Sequence, residues 1–457
     1  MMRSIRTTAL LGSLLLIPPG CRTPPRSASV GASPVCAVGT TVAPAESISV
    51  GTTLPIGVAH AVQPTNAAER FVFAQVYETL IDVDCEGRAH VGLAKSWTID
   101  DSRTRITFQL RDDARFSNGD ALTTRDVVAA WRTTGETSSD PGQLARRIAA
   151  ATTIVDDRSL TIALPDTEAL VLAEPALAIY RPTAGATWPE GSGTHRVVES
   201  APGTLDLVPL SQGSEPRLIV RSRRSADARD AIDAGADVIL AADPMSVRYA
   251  STRSNLSAVS LPWTQTYALA IPNRRAVGVA AWLAYASDTA AALRASLARD
   301  AVRADARAAQ SPSWWTAAAA CEWNGPGAPR RLEPTARIVY RSDDPVARGL
   351  AERLVAVGRR ATAVPLATAE FARALLAGNE SAYVVALPRS SLTPCRDMTL
   401  LRASAPWLTA SEGAPDALVP LIDTRQRPIV NVEHVSAVIG WDGTLRVTGR
   451  SSAGGRP

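Results

Sequence analysis

Residues 337–387 read as strand, helix, strand, helix, strand, and no other feature of the chain restricts its fold as tightly. Ile338 to Tyr340 is apolar. Asp344-Pro345 starts a helix, because proline suits the first helical position, and Leu350, Leu354 and Val357 give that helix one buried stripe. Thr368 caps a second helix that stops at Gly378, and Tyr383 to Leu387 is a further strand. Strands joined by helices of this length form βαβ units, whose crossovers make the strands parallel. An α/β fold with a largely parallel sheet follows for this stretch. The 457 residues exceed one compact domain two- to threefold, so at least two lobes are expected.

An earlier stretch carries a different pattern. Arg105-Ile-Thr-Phe-Gln-Leu-Arg111 alternates strictly, with Ile106, Phe108 and Leu110 on one face, which marks a half-buried strand. Ser117-Asn-Gly-Asp120 is a turn. Thr124 then caps a helix with Val127, Val128 and Trp131 on one face and Gly135 as its stop. Upstream lie an apolar run from Ile48 to Ile56 and a loop from His60 to Asn66. A helix from Ala67 to Leu80 carries Phe71, Val72, Gln75 and Val76, and a strand Ile81-Asp82-Val83-Asp84 follows.

Composition excludes several classes. Hydrophobic residues make up 46% and charged residues 20%, enough to bury a core and inconsistent with wholesale disorder. Basic residues exceed acidic ones by 48 to 44, an imbalance too small and too dispersed for a nucleic-acid partner. Lys95 is the single lysine, a compositional bias and not a functional choice. No Gly-x-Ser-x-Gly, His-Glu-x-x-His, Gly-x-Gly-x-x-Gly or Gly-x-x-x-x-Gly-Lys occurs, so no catalytic residue and no cofactor is assigned. The carboxylate pairs Asp112-Asp113 and Asp343-Asp344 read as solvated turn and cap residues. His60, His90, His195 and His434 are too separated to imply a metal site, and the five cysteines contain no CxxC.

The first 20 residues read as an export signal. Arg3 and Arg6 precede an apolar stretch from Ala9 to Ile17, which is too short for a span of about 20 apolar residues. The ending Ile17-Pro-Pro-Gly-Cys21 resembles a bacterial lipobox, with Gly20 in keeping and Pro18 and Pro19 departing from it. Acylation of Cys21 would anchor the chain to a membrane without spanning it; the alternative is plain cleavage with Cys21 a free thiol. Residues 21–46, rich in Pro, Ser, Ala, Thr and Gly, suit a flexible tether.

Five blocks arrive in order between Val76 and Trp131: Val76-Tyr-Glu-Thr-Leu80, Gly92-Leu-Ala-Lys-Ser-Trp97, Phe108-Gln-Leu-Arg111, Phe116-Ser-Asn-Gly-Asp120 and Arg125-Asp-Val-Val128. Together they resemble the N-terminal signature of the family 5 extracellular solute-binding proteins of ABC importers, which bind oligopeptides, dipeptides or nickel. Looser likenesses follow at Gly193-Thr-His-Arg-Val197, Ala228 to Val238, Tyr267 to Asn273, the Ala/Arg-rich stretch Val277 to Gln310, and Leu418-Val-Pro-Leu-Ile422. The resemblance implies a two-lobed type II periplasmic-binding-protein-like fold with mixed sheets, a hinge and an interlobe cleft. It implies a first lobe over 47–271 containing a family-specific subdomain at about 66–188, a second lobe over 272–417, a return to the first lobe over 418–450, and a disordered tail over 451–457.

Function follows as an expectation: an exported, periplasmic or cell-surface monomer captures a small molecule or peptide by lobe closure and delivers it to an ABC permease. The alternative keeps the fold but makes the chain a degenerate binder acting as a sensor or surface receptor. Cleft residues expected from position are Trp263, Gln265 and Tyr267 before the crossover strand, with Trp263 and Tyr267 on the first-lobe wall, His60 and Gln63 in the first-lobe loop, and Trp407 in a late second-lobe loop. Peptide binders of this family carry an acidic residue soon after the last second-lobe strand. Here Leu387-Pro-Arg-Ser-Ser-Leu-Thr-Pro-Cys395 has none, and Arg389 would favour an anionic group. Cys36, Cys85, Cys321 and Cys395 permit three pairings; Cys321 with Cys395 is preferred because both fall in the second lobe.

Overall fold

The alternation over 337–387 folds as half of a six-stranded mixed sheet. This is a computed structural model, and it describes residues 36–39, 45–183, 187–201, 203–211, 215–223, 227–240, 244–272, 306–308, 336–358, 361–389, 391–392, 396, 401, 404–407 and 417–449. The strand order is Ala361–Leu366, Ala336–Arg341, Ala382–Pro388, Gln265–Ile271, Ala417–Thr424, Ala306–Ala308. The first three are parallel to one another and the rest pair antiparallel. The helices between them are Pro345–Gly358 and Thr368–Ala377. Asp344 caps the former by accepting from the amides of Val346 and Ala347. Gly378 ends the latter in the left-handed conformation, which a residue without a Cβ adopts freely.

A second, seven-stranded sheet forms the first lobe, in the order His195–Ala201, Thr204–Pro209, Arg217–Ser222, Ser47–Thr52, Val238–Ile239, Ile429–Asn431, Leu256–Ala258. Ser47–Thr52 runs parallel to both of its neighbours. Beside it sits a subdomain with a four-stranded antiparallel sheet containing Ile106–Leu110, whose Ile106, Phe108 and Leu110 are buried as the alternation requires. Helix Thr124–Gly135 follows; its cap is Thr123, one residue earlier than expected, in a reciprocal capping box with Asp126. Trp131 is fully buried and donates to the Leu177 carbonyl.

Helix Ala67–Val76 stops short of the expected Leu80. The carbonyls of Thr79 and Leu80 instead accept from the amides of Leu93 and Ala94, so the chain pairs sideways where the helix would have continued.

The lobe boundaries need correction. Both crossover strands, Gln265–Ile271 and Ala417–Thr424, belong to the second-lobe sheet, so the crossings fall near 259–264 and 425–428 and not at 271/272 and 417/418. The reason is that Gln265–Ile271 is apolar on both faces: Tyr267, Leu269 and Ile271 enter one second-lobe core cluster, and Ala268 and Ala270 the other. A strand buried on both faces belongs in the middle of a sheet. The return to the first lobe is carried by Ile429–Asn431 and by the hairpin Ala437–Ile439 and Leu445–Val447. The expected tether is also shorter than 21–46. Ala37–Val38 pairs with Ala437–Ile439, and a fully buried Cys36 is disulfide-bonded to Cys85 with Cα atoms 5.5 Å apart. The segments 1–20 and 451–457, Cys21, Cys321, Cys395 and most of Val277 to Gln310 lie outside the described residues.

Candidate ligand cavity at the hinge

Where the two crossings run side by side they enclose a cavity of about 320 Å3. Its first-lobe wall comes from Leu54, the start of helix Ala67–Val76 with Arg70 and Phe71, and the hairpin residues Asp442 to Leu445. Its other wall comes from Thr264, Gln265, Pro388, Arg389, Thr424 and Arg425. The Arg389 amide donates to the Thr264 carbonyl at 2.7 Å, which fastens the loop after Ala382–Pro388 to the first crossing. The Arg389 guanidinium lies 5.4 Å from the centre of the Trp441 ring, across the lobe boundary. Arg70 is half-buried, and its guanidinium has no hydrogen-bond or ion-pair partner among the described residues.

The residues expected in the cleft are only partly brought together. Gln265 and Arg389 line this cavity. Tyr267 does not: it is 5% exposed, sits in the second-lobe core and donates its hydroxyl to Asp344 at 3.0 Å, which pushes the phenol far above its usual range by burial and by the adjacent carboxylate. Gln265 opens the strand that buries Tyr267 two residues on, and both belong to the second-lobe sheet. Trp263 stands behind the lining, with the guanidinium groups of Arg425 and Arg307 each 4.5 Å from its ring centre. Arg307 in turn pairs with the fully buried Asp423 at 3.0 Å, which also accepts from Thr266. Trp407 is a packing residue: it donates to the Leu375 carbonyl, lies 5.6 Å from the Tyr383 ring and covers Gly378, where a Cβ would meet its ring at 2.6 Å. Gln63 is half-buried and outside the cavity lining. His60 ends a short helical turn, Val58–His60, and its side chain lies outside the described residues.

Reading the sequence alone passes over Arg70, Arg425 and Asp442. A faint signal existed for Arg70, a charged residue directly before the apolar Phe71-Val-Phe73 of a helix that must bury most of its surface. Nothing local marks Arg425 or Asp442, which reach the cavity only through the return of the chain.

A larger cavity of about 540 Å3 lies inside the first lobe and shares Arg70, Asp442 and Thr444 with the hinge cavity. Phe73, Tyr77 and Trp441 line it, and its charges are internally matched: Asp82 pairs with Arg446, and Asp84 with His90 at 2.8 Å. Burial raises Asp84, but the amides of Arg88 and Glu86 with the His90 and Arg88 side chains outweigh it and hold the carboxyl at about 2. The other two described histidines are also satisfied separately. His195 is fully buried, donates Nε2 to the Pro216 carbonyl and is held below its ordinary range by burial, and His434 pairs with Asp237. The one metal-like grouping among the described residues, Cys36 with Asp84 and Glu86, has its sulfur committed to the disulfide.

Residues 89–204 match the family described as bacterial extracellular solute-binding proteins, family 5 Middle. The chain is 44% identical over 64 residues to the periplasmic oligopeptide-binding protein OppA of Haemophilus influenzae, 14% of this chain and 12% of that one. It is 33% identical over 90 residues to a dipeptide-binding protein of Lactococcus lactis subsp. cremoris, 19% of this chain and 16% of that one. The matching stretch thus spans less than a fifth of each relative's own length. Solved structures show the same fold over far more of the chain. NikA from Brucella suis, in complex with Fe(III)-EDTA, superposes with a TM-score of 0.62 at 15% identity, covering 88% of this chain and 99% of that one. OppA from Haemophilus influenzae, in complex with the peptide RPPGFSPFR, gives a TM-score of 0.56 at 13% identity, covering 85% and 95%. The likeness to the family 5 extracellular solute-binding proteins is thus carried by residues 89–204, and the fold over most of the chain is the two-lobed one of the periplasmic binding proteins to which it superposes.

Proposed function

We propose that this chain is the exported solute-binding component of an ABC importer, taking a small molecule or short peptide into the hinge cavity and presenting it to a permease. The observation that carries this reading is the placement of the 320 Å3 cavity, whose walls come from both lobes where the chain crosses twice between them. A ligand touching both walls stabilises the closed arrangement by the difference between its affinities for the closed and open forms, which is how binding becomes a signal to a transporter. The relatives matched over the signature segment are binding proteins for oligopeptides, dipeptides and nickel, which supports the reading. The chain acts without catalysis, as a monomer.

The export signal over residues 1–20 and the Gly20-Cys21 junction support a periplasmic or cell-surface location with a lipid on Cys21. No helix among the described residues is long and apolar enough to cross a membrane.

A thermal-shift screen of the mature chain against peptides, sugars, amino acids, organic acids and metal chelates tests the binding reading. A ligand in excess over its dissociation constant raises the melting temperature by mass action. A panel that leaves the transition unmoved speaks against it. For the anchor, Cys21→Ser should release the chain from membranes, and a variant that stays in the membrane fraction would sink that part.

A further inference from the structure

We infer that the larger, first-lobe cavity is a ligand site of its own, which takes a free amino acid with an aromatic side chain. The inference goes beyond the solute-binding reading of the hinge cavity and does not rest on it. At about 540 Å3 the cavity falls within the roughly 300–1,000 Å3 range of ligand pockets. Val62, Phe73, Tyr77, Ile439 and Trp441, all buried, give it an apolar and largely aromatic wall. Phe73 and Tyr77 meet edge to face with ring centres 6.0 Å apart, an arrangement that a further ring entering the cavity extends. Arg446 is paired with Asp82, and His90 with Asp84 at 2.8 Å, so these groups offer a ligand no free charge. Such a wall favours an uncharged ring, because a charged side chain would lose its water without gaining a partner.

The residues shared with the hinge cavity, Arg70, Asp442 and Thr444, give the wall a different character. The half-buried Arg70 guanidinium has no hydrogen-bond or ion-pair partner among the described residues. The Thr444 hydroxyl oxygen is buried and likewise has no hydrogen-bond partner among them. Asp442 accepts from the Thr444 amide through Oδ1 at 3.0 Å and lies in the field of Arg446, but its Oδ2 accepts from no described residue. Arg70 and Asp442 do not pair with each other, so a cation and an anion both stand open to the cavity. The head of a free amino acid is their complement, with its carboxylate for the Arg70 fork and the Thr444 hydroxyl, and its ammonium for Asp442. A head of one sign would satisfy one of them and leave the other unpaired. Val62 adds a separate observation. Its φ of 67° lies in the left-handed region, which a β-branched residue adopts only at a cost, and strain of this kind collects at ligand-holding loops.

Calorimetric titration of the full mature chain with four related probes tests this: L-phenylalanine, phenethylamine without the carboxylate, 3-phenylpropionate without the ammonium, and L-leucine without the ring. L-phenylalanine should bind saturably, and each analogue lacking one charge should bind about tenfold or more weaker. L-leucine should bind about three- to tenfold weaker. Arg70→Gln should weaken L-phenylalanine by about tenfold and leave phenethylamine no weaker, whereas Asp442→Asn should weaken L-phenylalanine alike and leave 3-phenylpropionate no weaker. A variant that had merely lost its fold would lose every probe together. Ala74 lines the larger cavity and not the hinge cavity, so Ala74→Phe should fill the site and abolish L-phenylalanine binding without lowering the ligand-free melting temperature. Binding of no probe overturns the inference, and so does L-leucine or a one-charge analogue binding as tightly as L-phenylalanine. L-phenylalanine binding that is indifferent to Arg70→Gln and Asp442→Asn, or that survives Ala74→Phe, overturns it as well. Each of these results leaves the solute-binding reading standing, because that reading depends on the hinge cavity and on its own thermal-shift screen.

Discussion

The lobes meet at two polar places that handle charge in opposite ways. The hinge cavity is lined by Arg70, Arg389, Arg425 and Asp442, and the Arg70 guanidinium has no hydrogen-bond or ion-pair partner among the described residues. Farther along the same second-lobe loop, Arg396 reaches across to Glu174 and Asp140 of the first-lobe subdomain, and Ser391 and the Leu392 amide also donate to Glu174. Glu174 is 2% exposed and its oxygens are shared among three donors, so this contact is complete without a ligand. A completed buried ion pair specifies how the lobes sit, whereas a half-buried arginine such as Arg70, with no partner among the described residues, leaves recognition energy for something that arrives from solution. The short loop after Pro388 therefore does two things, with Arg389 facing the cavity and Arg396 holding the lobes.

The comparison predicts its largest effect at Glu174. Glu174→Ala strands Arg396 against a single remaining acid and should cost about 3–5 kcal/mol in chemical denaturation; an unshifted midpoint would show that the contact does not hold the lobes. Next comes the disulfide. Replacing Cys36 and Cys85 together by Ser frees a loop with a sequence separation of 49 and should cost about 4 kcal/mol by chain entropy. Affinity at the hinge should hold, because the bond lies beside the larger cavity and outside the hinge lining. A parallel loss of affinity would mean that the two cavities work as one.

Tyr267 and Gln265 sharpen the contrast at closer range. Tyr267→Phe removes the hydroxyl bonded to Asp344 and should lower stability by about 1.5–3 kcal/mol with ligand affinity intact. Gln265→Ala should do the reverse, and equal behaviour of the two would erase the distinction between core and cavity on that strand. Trp263 acts only through Arg425, so Trp263→Ala should weaken binding by about 0.5–1 kcal/mol, the size of a cation–π contact. A loss several times larger would put the indole against the ligand itself.

The smallest effect is a slope in pH. Glu215 is the counterpart of Glu174, a half-buried carboxylate whose Oε2 has no hydrogen-bond partner among the described residues. Burial pushes it up to about 7, opposed only by the Gly449 amide. The folded state therefore binds this proton more tightly than the unfolded chain, whose glutamate titrates at about 4.3. Its contribution is fully present below about pH 4.3 and is lost as pH rises toward 7. Glu215→Gln should flatten that part of the stability profile, and a profile of unchanged slope would contradict the assignment.

Local pattern was legible where it is self-sufficient. The strict alternation at Ile106, Phe108 and Leu110, the Asp344-Pro345 helix start and the Gly378 stop are each decided within a few residues, and all appear in the fold. The site was less legible. Of the residues expected in the cleft, Gln265 and Arg389 line the hinge cavity, whereas Tyr267 and Trp407 pack in the second-lobe core, since a ring placed in a strand or loop is as readily core as cavity wall.

By itself, then, the sequence determined the α/β class, the parallel half-sheet, the family signature between Val76 and Trp131 and the presence of two lobes, because short-range periodicity and turn chemistry specify these. Tertiary structure alone decided that both crossover strands join the second sheet and that Cys36 bonds to Cys85. It alone brought Arg70, Arg389, Arg425 and Asp442 to one cavity from positions more than 300 residues apart at the extremes. Register and charge balance between distant segments depend on which surfaces are finally buried against each other, and no local stretch of chain carries that information.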